Sequence, residues 1–82
     1  MRVTVCYHAL LREKTGRASE KFELESATPD VSDLLAAFVK KHSAFERLAP
    51  ALHVAVNDEI IGRKQRLNEN DRVDLMPPFG GG

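Results

Sequence analysis

The chain has 82 residues, with 12 Lys and Arg balanced by 12 Asp and Glu, and 43% apolar against 29% charged residues, the make-up of one small globular domain. The even charge excludes a general nucleic-acid or membrane-surface binder, which would carry a basic excess. The single cysteine, Cys6, excludes an internal disulfide framework and a cysteine-held iron–sulfur cluster. A chain of this length should have a radius of gyration of roughly 12 Å and bury about 60–65% of its unfolded surface, enough for one modest core and no deep enclosed pocket.

"RVTVCYHA" alternates, with Val3, Val5 and Tyr7 on one face and Thr4, Cys6 and His8 on the other, the pattern of a half-buried strand. No signal peptide precedes it and no apolar run nears the roughly 20 residues that span a bilayer, so the expected compartment is the cytoplasm. "LLREKTGRA" breaks the alternation and reads as a short helical turn or a long hairpin loop punctuated by Gly16. "SEKFELES" alternates again, with Phe22 and Leu24 inward and Lys21, Glu23 and Glu25 outward. "PDVSDLLAAFVKKH" is the one convincing helix. Asp30 stands at its N-cap and Asp33 in its first turn; Val31, Leu34, Leu35, Phe38 and Val39 form a stripe at 3/4 spacing. Lys40, Lys41 and His42 close the last turn with donors that suit the negative end of the dipole.

"SAFERLAP" reads as a further short helical piece stopped by Pro50. "LHVAV" is a strand with Leu52, Val54 and Val56 inward, "NDE" a turn, and "EIIG" a brief strand. In "LNENDRVDLM", Leu67 is buried, residues 68–71 turn, and a last strand sends Val73 and Leu75 inward. The order predicts a two-layer α+β fold, a mixed sheet with one main helix on one face. Residues 1–76 form the domain and 77–82, "PPFGGG", an extended tail.

Cys6, on a strand, reads as a small packing residue. His8, His42 and His53 lack ligand spacing, so no metal site is expected. The basic run Arg63 to Arg66 reads as a solvated edge, and no Ser/His/Asp set or paired carboxylates with a cleft can be assembled.

Three segments together resemble the ubiquitin-like β-grasp sulfur carriers of the MoaD and ThiS type. They are "VTVCYHALLREKTGR" with Ala9, Arg12 and Glu13, "HVAVNDEII" with Ala55, Val56 and Asn57, and "LNENDRVDLMPPFGGG". The likeness runs over essentially the whole chain, least distinctively in the helix. Where this family often carries outward aromatics on the first and last strands, this chain has His8 and Met76.

The resemblance implies a non-catalytic small subunit of molybdopterin synthase with no bound cofactor. Gly82 would be adenylylated by an E1-like adenylyltransferase using ATP. A sulfurtransferase or cysteine desulfurase would supply sulfur, and a large catalytic subunit would use the terminal thiocarboxylate to build the pterin dithiolene within a heterotetramer. Phe79, Gly80, Gly81 and Gly82 would thread the partner's channel, where glycine lets two backbones approach closely. Pro77 and Pro78 would keep the exit extended. From Pro77 the tail reaches about 20 Å. His8, Arg12 and Met76 would form the docking patch on the sheet's outer face. Other readings of the same tail are a carrier for thiamine, tRNA thiolation or cysteine synthesis, a ubiquitin-like protein modifier, and a plain interaction module that needs no terminal chemistry.

Overall fold

The computed structural model describes residues 1–78. In chain order it holds β1 (Arg2–Tyr7), α1 (Leu10–Thr15), β2 (Ser19–Glu23), α2 (Val31–Lys41), two 3-10 turns (Ser43–Phe45 and Ala49–Ala51), β3 (His53–Val56), β4 (Glu59–Ile61) and β5 (Arg72–Met76). The strands form one sheet in the order β2-β1-β5-β3-β4. β1 and β5 run parallel, and every other neighbouring pair is antiparallel. The radius of gyration is 11.6 Å.

Alternation in β1 turns Val3, Val5 and Tyr7 inward, and alternation in β5 does the same for Val73 and Leu75. The stripe of α2 meets them with Val31, Leu34, Leu35 and Phe38, all buried, and each such side chain contributes about 1.5–3 kcal/mol by leaving water. Phe38 is the hinge of the packing: its ring lies 5.7 Å from that of Tyr7 and stacks at 5.6 Å on that of Phe45.

α2 begins where the sequence predicts. The Asp30 carboxylate accepts from the Asp33 amide, and the Asp33 carboxylate accepts from the Asp30 amide, a reciprocal cap for two otherwise orphaned donors. Hydrogen bonds from the Ser32 hydroxyl and the Asp33 amide hold the Asp30 carboxyl below its ordinary range.

Of the two readings of the link between the first two strands, the helical one holds: Leu10–Thr15 form the six-residue helix α1, closed by Gly16 at φ 74°, a conformation glycine adopts without strain. Arg12 therefore stands on a helix. Pro50 does not stop a helical piece; it lies inside the second 3-10 turn, near its start, where its missing N–H breaks no bond. The basic run is more than a solvated edge. Its backbone carbonyls at Arg63 and Gln65 accept from the Ser32 and Val31 amides, two orphaned donors of the first turn of α2, and the Arg63 guanidinium donates to the Ala49 and Pro50 carbonyls. Glu20, to which the sequence reading assigned no face, points into the core with Phe22 and Leu24 and is 6% exposed.

Candidate functional site

β5 is the middle strand of the sheet, so the chain leaves the fold from the sheet's centre. Met76 is its last residue and pairs with His53 across β3. Pro77 is buried and Pro78 exposed. The tail residues Phe79, Gly80, Gly81 and Gly82 lie outside the described residues.

Alternation along β5 that buries Val73 and Leu75 turns Arg72, Asp74 and Met76 to the face opposite α2. There, a shallow open hollow of ≈ 690 Å³ is lined by His8, Arg12 and Met76 together with Cys6, Ala55 and Ile60. The three residues expected to dock a partner thus share one surface, brought together by β1, α1 and β5. Ile60 was missed from sequence. It is the large apolar side chain most open to water among the described residues, 67% exposed, on the β3–β4 hairpin whose Asn57 and Asp58 both have positive φ. Its signal was present, since a two-residue Asn-Asp turn fixes the register of the strand that follows.

A charged row crosses the hollow. His8 Nε2 bonds Asp74 Oδ1 at 2.8 Å, Arg72 Nε lies 3.5 Å from Asp74 Oδ2, and the Arg72 guanidinium also pairs with Asp58. A hollow in which apolar side chains flank a charged row suits protein contact. Burial and the Asp74 carboxylate push the Cys6 thiol up from its ordinary value, away from the reactive thiolate. Among the described residues no group of three or more His, Cys, Asp or Glu side chains is placed to hold a metal ion.

Arg12 is exposed on α1 at the border of this hollow. Replacing it by alanine is expected to leave the melting temperature unchanged and to slow partner association, as for a border charge that steers encounter. Stopped-flow binding beside a thermal melt checks this; a large fall in stability with normal binding would make the residue structural.

On the opposite face Glu20 is the second feature that sequence reading missed. The Tyr7 hydroxyl donates to its Oε1 at 2.6 Å and His42 Nε2 at 2.9 Å, while Arg17 lies 3.2 Å from Oε2 and Lys41 pairs with the same oxygen. Burial alone would push this carboxyl up; the hydrogen bonds from Lys41, Tyr7 and His42 outweigh it and hold it down at about 2. Burial and the bond to Glu20 push the Tyr7 phenol up, so it stays a donor. This cluster ties β1, β2 and the end of α2 together.

A five-stranded mixed sheet with a central last strand and one main helix on one face is the ubiquitin-like β-grasp. The fold matches that of a putative molybdopterin converting factor subunit 1 from Pyrococcus furiosus, with a TM-score of 0.85 and 26% identity over 96% of this chain and 99% of that one. It also matches SAMP1 from Haloferax volcanii, with a TM-score of 0.85 and 24% identity over the whole of both chains. The chain belongs to the ThiS family, which matches residues 5–82. It is 32% identical over 84 residues, the full length of both, to the molybdopterin synthase sulfur carrier subunit of Chlamydomonas reinhardtii. Among the described residues no helix is long and apolar enough to cross a membrane.

Proposed function

We propose that this chain is a sulfur carrier, the small non-catalytic subunit of a molybdopterin synthase. The observation that carries the reading is the full-length 32% identity to a sulfur carrier subunit of that synthase. In this reading the Gly82 carboxylate attacks the α-phosphate of ATP within an E1-like adenylyltransferase, and pyrophosphate leaves. The persulfide of a sulfurtransferase or cysteine desulfurase then displaces AMP to give an acyl disulfide, and a thiol reductant cleaves its S–S bond, freeing the terminal thiocarboxylate while the donor cysteine and the reductant leave as a disulfide. The acyl-adenylate hydrolyses in water, so the activating site must exclude it, and a glycine tip suits a narrow channel. The large catalytic subunit takes the sulfur for the dithiolene. The carrier itself holds no cofactor; ATP is the partner's.

The test is to incubate the chain with the activating enzyme, ATP and a sulfur source and weigh the intact protein. A gain equal to the difference between sulfur and oxygen supports the reading, and an unchanged mass with active partner enzymes overturns it. Higher-mass lysine conjugates in a lysate would favour a modifier instead.

Met76 is expected to anchor the docked domain beside the tail, with His8 and Ile60. Met76→Asp should weaken binding to both the activating enzyme and the large subunit by more than about 1 kcal/mol, as for a buried anchor. Titration calorimetry with each partner measures it, and unchanged affinity for both removes Met76 from the interface.

A further inference from the structure

The free edge of β2 has no role in the reading above. β2 ends the sheet beside β1 alone, with Val3 opposite Phe22 and Val5 opposite Glu20. The Tyr7 amide bonds the Ala18 carbonyl, and Met1 and Leu24 exchange both their bonds. Antiparallel bonding alternates, so residues 18, 20, 22 and 24 bond to β1, and the backbone groups of Ser19, Lys21 and Glu23 face outward. Next to this edge an open hollow lies between β2 and α2, floored by Phe22, Leu24, Ala36 and Ala37. The hollow has polarity, because α2 runs antiparallel to β2. Glu25 and Asp33 mark one end, and Lys40 and Lys41 the other. Lys21 and Glu23 repeat that polarity on the sheet's opposite face.

We propose that a second copy of this chain docks on this edge, β2 against β2, about a two-fold axis through Phe22. A two-fold interface needs a patch complementary to itself, and acid at one end with base at the other meets that need. Antiparallel pairing centred on Phe22 sets Lys21 opposite the partner's Glu23 and Glu23 opposite the partner's Lys21. Both residues have outward backbone groups, so one register makes the hydrogen bonds and the ion pairs together. A shift by one residue breaks the bonding phase, and a shift by two sets lysine against lysine or glutamate against glutamate. In the helix layer the axis passes near Ala36 and Ala37, midway between Asp33 and Lys40, so Asp33 faces the partner's Lys40 and the alanines let the helices approach. The exit of β5, two strands away, stays uncovered.

The experiment is sedimentation equilibrium of the purified chain from about 10 μM to about 1 mM, the range of a weak self-association. The wild-type mass should double from 9.1 kDa. Lys21→Pro removes an amide that faces outward, so no bond to β1 is lost; it should stay monomeric with an unchanged melt. Lys21→Glu and Glu23→Lys should each weaken the dimer by about 10-fold, and an equimolar mixture of the two should restore it, since unlike charges then meet across the pair. A wild type that stays monomeric throughout overturns the proposal and leaves the edge to an extended strand of a different protein. A Lys21→Pro dimer as tight as wild type, or a mixture no tighter than its components, overturns it equally.

Discussion

Deleting Gly82 is expected to abolish sulfuration while leaving the fold untouched. The reacting group in the proposed function is the terminal carboxylate, and its position relative to the docked domain is set by the length of chain beyond β5. One residue fewer shortens the reach by roughly 3.5 Å. A misplacement of about 1 Å can cost 100-fold in an oriented reaction, so the deletion should slow thiocarboxylate formation by at least that factor. Adding a residue beyond Gly82 moves the carboxylate too far and overfills the channel. A bulky residue at Gly81 puts a side chain where two backbones must nearly touch. Thermal melts of all three variants should overlay the wild type, because the core cluster of the described residues lies between Val3 and Leu75. Intact mass after incubation with the activating enzyme, ATP and a sulfur source reads the outcome. A deletion variant sulfurated at the wild-type rate would remove Gly82 from the chemistry.

The largest expected effect on stability is at Glu20. Glu20→Ala leaves a buried tyrosine hydroxyl and a half-buried imidazole without their acceptor, and two cations without their counter-charge. Breaking a buried ion pair costs about 3–5 kcal/mol; Lys41 and Arg17 are 53% and 54% exposed and regain water, so the lower end is expected. For a domain this small about 3 kcal/mol lowers the melting temperature by roughly 12–24 °C. The same carboxylate governs acid stability. Its folded pKa, about 2, lies below its ordinary 4.5. The contribution, on the order of 3 kcal/mol, is therefore complete above pH 4.5 and is lost as pH falls from there towards 2. Glu20→Gln cannot titrate and should unfold with a flatter acid limb. Urea melts from pH 6 down to 2 test this, and an acid limb as steep as the wild type would assign the lability to other carboxylates.

Much of the fold was legible because it rests on periodicity. The alternation of Val3, Val5 and Tyr7, the stripe from Val31 to Phe38 and the cap at Asp30 are local signals, and local signals survive without coordinates. Glu20 was hidden by a conflict between two such signals. Its parity matches Phe22 and Leu24 and so points inward, but a charge argues for water. Burial wins only because Tyr7, 13 residues before it, and His42, 22 residues after it, arrive with donors. Lys41 and His42 look like ordinary partners of a helix dipole until β2 is placed beside the end of α2. The basic run misleads for a related reason. Side-chain charge dominates its sequence signature, whereas its contribution to α2 comes from backbone carbonyls that carry no residue-type signal. At the candidate site, His8, Arg12 and Met76 could be grouped from a family likeness and Ile60 from the Asn-Asp turn before it, but the Asp58–Arg72–Asp74–His8 row depends on which strands become neighbours.

The central position of β5 also has a mechanical meaning. Its backbone is bonded on one side to β1, running parallel, and on the other to β3, running antiparallel. A pull on the chain beyond Pro78 acts along the strand and across those bonds. It loads them in shear, all together, where an edge strand peeled from its end would yield one bond at a time. A partner that grips the tail and draws it inward would bring the whole domain against its surface before the strand could unzip. In the proposed function the sheet would then act as a stopper, and the depth to which the tail enters would be set by where the domain comes to rest.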